Sequence, residues 1–112
     1  MYYREMIGQQ DVRQHLISLV QQQHLPHAML FSGPEGSGAM PLALATARYI
    51  FCLQRGETDA CGQCSACIKM NSLQHPDLHL SFPTFRKEGA KSPPKSADFL
   101  PQFRAFLKEH PY

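Results

Sequence analysis

Gly33-Pro34-Glu35-Gly36-Ser37-Gly38-Ala39-Met40 reads as a phosphate-binding loop whose glycines are in register. The pattern G-x-x-x-x-G-K-[ST] uses glycines so that backbone N–H groups curl around phosphates, a Lys to reach the β/γ-phosphates and a hydroxyl to ligate magnesium. Here Ala39 stands at the Lys position and Met40 at the hydroxyl position. Pro41 follows, and its missing N–H removes a further phosphate donor from the first helical turn, where proline is sterically welcome. A single Lys→Ala change would leave a Ser or Thr at position 40 and would not introduce Pro41, so the loss reads as natural. The loop is expected to keep its shape and to be unable to use ATP.

The surroundings of the loop set the expected fold class. Residues 28–31, Ala28-Met29-Leu30-Phe31, form a short apolar run that leads into the glycines, as a buried strand feeding a phosphate loop should. Residues 40–53 are apolar on every side, with Leu42, Leu44, Ala45, Ala47, Ile50 and Phe51, which predicts a buried helix. Before the loop, Val12, Leu16, Leu19 and Val20 recur at helical spacing and predict a helix over residues 11–22, ended by Leu25-Pro26. Leu78-His79-Leu80-Ser81-Phe82 alternates and is read as a second strand. Ser96 is placed to cap a last helix with Phe99, Leu100, Phe103, Phe106 and Leu107 on its apolar face and Pro111 as its stop. The expected architecture is therefore α/β, with parallel strands and flanking helices.

All four cysteines fall in one window, Cys52, Cys61, Cys64 and Cys67, spaced C-x8-C-x2-C-x2-C. Two C-x2-C steps that share a central cysteine put three thiolates on a tight turn, and Cys52 at the end of the preceding helix can complete a tetrahedron. Zinc in a structural site takes four such soft ligands and leaves no position for water. Disulfides are disfavoured, because the N-terminus opens Met1-Tyr2-Tyr3-Arg4-Glu5 with no apolar signal region and the expected compartment is the reducing cytoplasm. An iron–sulfur cluster stays open as a rival, although the bacterial run C-x2-C-x2-C-x3-C-P would need a cysteine where Asn71 stands. Among the six histidines, His75 lies close enough in sequence to substitute as a ligand, but four cysteines already suffice.

At 112 residues the chain holds at most one domain, small enough for a metal cross-link to add usefully to its core. A formal net charge of +2 argues against a broadly basic nucleic-acid surface. Arg86, Lys87, Lys91 and Lys95 lie among prolines and a glycine and read as a solvated loop. No stretch of about 18 apolar residues exists, which excludes a membrane helix. No Ser/His/Asp or paired-carboxylate arrangement supports catalysis.

Taken in order, Ile7-Gly8-Gln9, Leu25-Pro26-His27-Ala28, Leu30-Phe31-Ser32-Gly33-Pro34, Ala60-Cys61-Gly62-Gln63-Cys64 and His75-Pro76-Asp77 resemble the N-terminal part of bacterial DNA polymerase III clamp-loader subunits of the AAA+ class. The damaged loop matches the delta-prime type within that group, since the gamma/tau ATPase keeps a full phosphate loop. The resemblance covers about residues 5 to 80 and implies a zinc module on Cys52, Cys61, Cys64 and Cys67. It also implies gamma/tau and delta subunits as partners, with a sliding clamp and primed DNA reached through the assembly. On that reading residues 1–112 are the first part of an AAA+ domain with a zinc module inserted at 52–67, and the rest of the domain, the lid and the collar are absent. The implied role is a stator that does not hydrolyse ATP. A separate zinc module binding nucleic acid and an active ATPase subunit are the alternatives, and residues 83–112 carry no motif of the family.

Overall fold

The computed structural model describes residues 1–82 and 100–109. Its central element is the apolar helix after the glycine loop. A 3-10 turn, Tyr3–Glu5, is followed by α1 (Gln10–Gln21), α2 (Ala39–Phe51), α3 (Ser65–Asn71) and α4 (Leu100–Glu109). The helices expected from periodicity are present, and α1 and α2 each start one residue earlier than the pattern indicates. Ser96, Phe99 and Pro111, expected to bound and line the last helix, lie outside the described residues, as does the basic run at 86–95.

α2 is buried because each of its faces has a neighbour. Leu42, Ala45 and Tyr49 meet Leu16 and Val20 of α1 together with Tyr3 and Met6, forming one apolar cluster. Leu44 faces the opposite way and joins Met70 of α3, Leu73 and Leu107 of α4 in a second. The last residue before the turn, Cys52, enters a third with Ala60 and Cys67. Such burial contributes roughly 25 cal/mol per Å² of apolar surface removed from water, so a helix this rich in apolar residues is favoured only in this central place. The expected stripe of α1 holds for Leu16 and Val20, which are buried, whereas Val12 is exposed beside the glycine loop.

The expected α/β class is contradicted: among the described residues there is no strand and no sheet. At 28–31, Ala28, Met29 and Leu30 are exposed, Leu30 at 90%, and Phe31 is the residue of that run that reaches the first cluster. At 78–82 the alternation is real, with Leu78, Leu80 and Phe82 half-buried and His79 and Ser81 exposed. Leu78 and Leu80 rest on the second cluster, but no ladder forms among the described residues. Side-chain alternation reports that one face is covered; a strand also needs a second backbone to exchange hydrogen bonds with, and that partner is a non-local property. α4 covers this region instead, with Phe103 stacked on Phe82 at 3.9 Å and the Arg104 Nε–H donating to the Leu73 carbonyl at 2.9 Å.

Candidate metal centre and the glycine loop

The cysteine loop leaves α2 at Cys52 and returns through α3, so that helix ends and tight turns, not a long excursion, set the sulfur positions. Gly62 holds φ +79° between Cys61 and Cys64, a conformation that L side chains rarely adopt, and a Cβ there would come within 3.1 Å of the Tyr2 hydroxyl. Cys64 is the N-cap of α3, its Sγ accepting the Cys67 N–H at 3.5 Å. Further backbone donors point at sulfur: the Cys61 N–H at Cys52 Sγ (3.3 Å), and the Gln63 and Cys64 N–H groups at Cys61 Sγ (both 3.4 Å).

The four Sγ atoms lie within 4.8 Å of one another, with Cys52 to Cys61 at 3.5 Å and Cys52 to Cys64 at 3.9 Å. A tetrahedron with metal–sulfur bonds of about 2.3 Å has edges of about 3.8 Å, so the donor set suits one ion of the kind that accepts four thiolates. All four thiols are free, with Cys52 and Cys67 buried and Cys61 and Cys64 half-buried. The backbone N–H of Leu53, first among its neighbours, holds the Cys64 thiol down at about 6, and the Gln63 and Cys64 N–H groups lower Cys61. Burial pushes Cys67 up to about 12 and raises Cys52. A cation placed among the sulfurs would have to displace the protons of the buried pair, which is the usual coupling of metal binding to proton release.

His75 is not part of the cluster. Its ring stacks on Phe51 at 4.2 Å, and its Nδ1 accepts the Asp77 N–H at 3.1 Å.

Three residues outside the cysteine pattern join the N-terminus to this centre. Asp59 accepts from the Tyr3 and Arg4 N–H groups at 3.2 and 3.0 Å, from the Ala60 N–H at 2.8 Å, and pairs with Arg4 at 3.6 Å. Tyr2 lies against the cysteine cluster with the Arg4 and Arg48 guanidiniums 4.1 and 4.2 Å from its ring centre. Arg48 is buried. Motif and spacing do not single it out, although it is the one charged residue in the otherwise apolar α2, and that isolation is the signal the sequence carries.

The glycine loop turns directly into α2. The Ser37 N–H donates to the Pro34 carbonyl at 3.0 Å, and Gly38, at φ 93°, is the N-cap of α2. Ala39 and Met40 occupy the first turn, and Pro41 is buried beneath it. A shallow groove of about 210 Å³ beside the loop is lined by residues including Val12, Leu30, Phe31, Ser37 and Ala39, with no charged side chain among the described residues that line it.

Comparison with known proteins places these features in a family. The family model described as DNA polymerase III, delta subunit matches residues 8–103. A DNA polymerase III subunit delta' of Bacillus subtilis is 40% identical over 68 residues, covering 61% of this chain and 20% of that protein. Subunit delta' of Yersinia pestis is 32% identical over 82 residues, 72% of this chain and 21% of that one. Subunit gamma/tau of Mycoplasma genitalium is 30% identical over 76 residues, 68% and 13% respectively. The chain thus spans about a fifth or less of the length of these relatives. No solved structure matches. The family match runs through the glycine loop, the cysteines and into α4, and the chain accordingly belongs to the DNA polymerase III delta-subunit family of clamp-loader proteins.

Proposed function

We propose that this chain is the zinc-bearing portion of a delta-prime-type clamp-loader subunit that does not hydrolyse ATP. It acts as a stator beside gamma/tau and delta subunits while a sliding clamp is placed on primed DNA. The observation that carries this reading is the glycine loop, which enters α2 without a cation or a hydroxyl at the two positions that phosphate and magnesium require. Relatives named delta' and gamma/tau both match, so family membership by itself leaves the two types open, and Ala39 and Met40 favour delta'.

In this reading Cys52, Cys61, Cys64 and Cys67 hold one zinc ion, and residues 52–67 act as a folded module. The ion supplies a cross-link between the end of α2 and the start of α3, and has no catalytic task because four protein ligands leave no open position. The cysteine loop, the N-terminal turn and α2 then form one rigid block that can present a fixed surface to neighbouring subunits.

Two measurements test it. Elemental analysis of the purified chain should find about one zinc per chain; stoichiometric iron or no metal overturns the zinc assignment. Calorimetric titration of the full-length parent with magnesium-ATP should give no binding at physiological concentrations, while the parent co-migrates with gamma/tau and delta subunits in gel filtration. Saturable ATP binding overturns the inactive-loop reading, and failure to join that assembly overturns the stator.

A further inference from the structure

Arg48 is 2% exposed, in the last turn of the mostly apolar α2. Removing a guanidinium from water carries a large desolvation cost that is ordinarily met by an opposing charge. Its partners among the described residues are neutral: the Met1 carbonyl at 3.2 Å from Nε, and the Tyr2 hydroxyl at 3.1 Å and the Cys67 carbonyl at 2.7 Å from Nη1. Asp59, the carboxylate that joins the N-terminal turn to the cysteine loop, is engaged by Arg4 and by three backbone N–H groups. Among the described residues, the guanidinium of Arg48 therefore lies against the backbone of the metal-ligand candidate Cys67 with no carboxylate bonded to it.

A divalent ion held by four thiolates has the complementary problem, being a partly buried group with two net negative charges. We propose that Arg48 is a positioning and charge-balancing residue of the metal centre. Its guanidinium, fixed by the Cys67 carbonyl and by Tyr2, offsets part of the negative charge of the tetrathiolate and orients the Cys67 backbone. The inference rests on the metal reading above and adds to it a residue that the cysteine spacing does not contain. Outer partners of metal ligands commonly change affinity by about 10–100-fold when removed.

The test is zinc affinity by chelator competition, with cobalt substitution to report the ligand set. Arg48→Met keeps the apolar stem and removes the charge, Arg48→Lys keeps the charge and loses the planar fork, and Leu44→Ala is a buried control in the same helix facing away from the cysteines. We expect R48M to bind zinc about 10–100-fold more weakly than wild type. The loss should exceed that of L44A at matched loss of thermal stability, with the tetrahedral cobalt spectrum unchanged in position and R48K close to wild type. Should R48M not fold, R48Q replaces it in the same comparison. R48M affinity equal to that of L44A at matched stability, or R48K as weak as R48M, overturns the charge-balancing role while leaving the metal centre standing. A wild-type chain that takes up neither zinc nor cobalt overturns the metal centre and this inference with it.

Discussion

Replacing Asp59 by Ala tests whether the N-terminal turn is tied to the cysteine loop as the geometry indicates. The carboxylate accepts two long-range backbone hydrogen bonds, from the part-buried Tyr3 N–H at 3.2 Å and the more exposed Arg4 N–H at 3.0 Å. Hydrogen bonds to a charged group contribute roughly 1.5–3 kcal/mol each, and the exposed one belongs at the low end. The local bond to the Ala60 N–H orders the loop, and the Arg4 pair adds at most about 1 kcal/mol because Arg4 is largely solvent-accessible. The sum is about 3 kcal/mol, a large share of the roughly 5–15 kcal/mol that holds a domain together. At about 4–8 °C per kcal/mol for a domain near this size, Tm in the zinc-loaded chain should fall by about 12 °C or more. Asp59→Asn, which keeps one oxygen acceptor but loses the charge, should fall between. Circular dichroism melts of the three proteins make the measurement. A D59A shift under about 4 °C, equivalent to less than about 1 kcal/mol, would refute the clamp and leave Tyr2 and Arg48 to hold the turn unaided.

Two further outcomes follow from the same packing. Tyr3, whose hydroxyl bonds to Thr46 Oγ1 at 2.8 Å, is pushed from 10.0 up to about 12, chiefly by burial. Its neutral form is the one the fold favours, so its contribution is intact below pH 10 and is lost as pH rises toward about 12. Denaturant midpoints across that range should decline less steeply for Y3F than for wild type, and equal slopes would show that Tyr3 titrates as if exposed. Leu44→Ala empties a site shared by α2, α3 and α4 and should cost about 2–5 kcal/mol in urea unfolding. A loss below about 1 kcal/mol would mean that α4 does not pack on this cluster in solution.

Periodicity and spacing settled the local features of this chain. The i, i+4 recurrence of Leu16 and Val20, the largely apolar character of residues 40–51 and the C-x8-C-x2-C-x2-C spacing each depend on residues that are close in sequence, so each is legible in the order of residues alone. So are the glycines of the loop and the Ala39 and Met40 that follow them. Whether alternating or apolar runs at 78–82 and 28–31 become strands depends on a second backbone lying alongside, which no local pattern encodes, and there the α/β expectation failed. Tertiary structure alone decided that Phe82 stacks on α4, that His75 lies on Phe51 and away from the sulfurs, and that Asp59 holds the first turn. It also decided the place of Arg48, whose charge is plain in the sequence but whose setting is made by Met1, Tyr2 and Cys67, up to 47 positions away. Short-range chemistry is written along the chain, whereas the pairing of a charge or a strand with its partner comes into being only when distant segments are brought into contact.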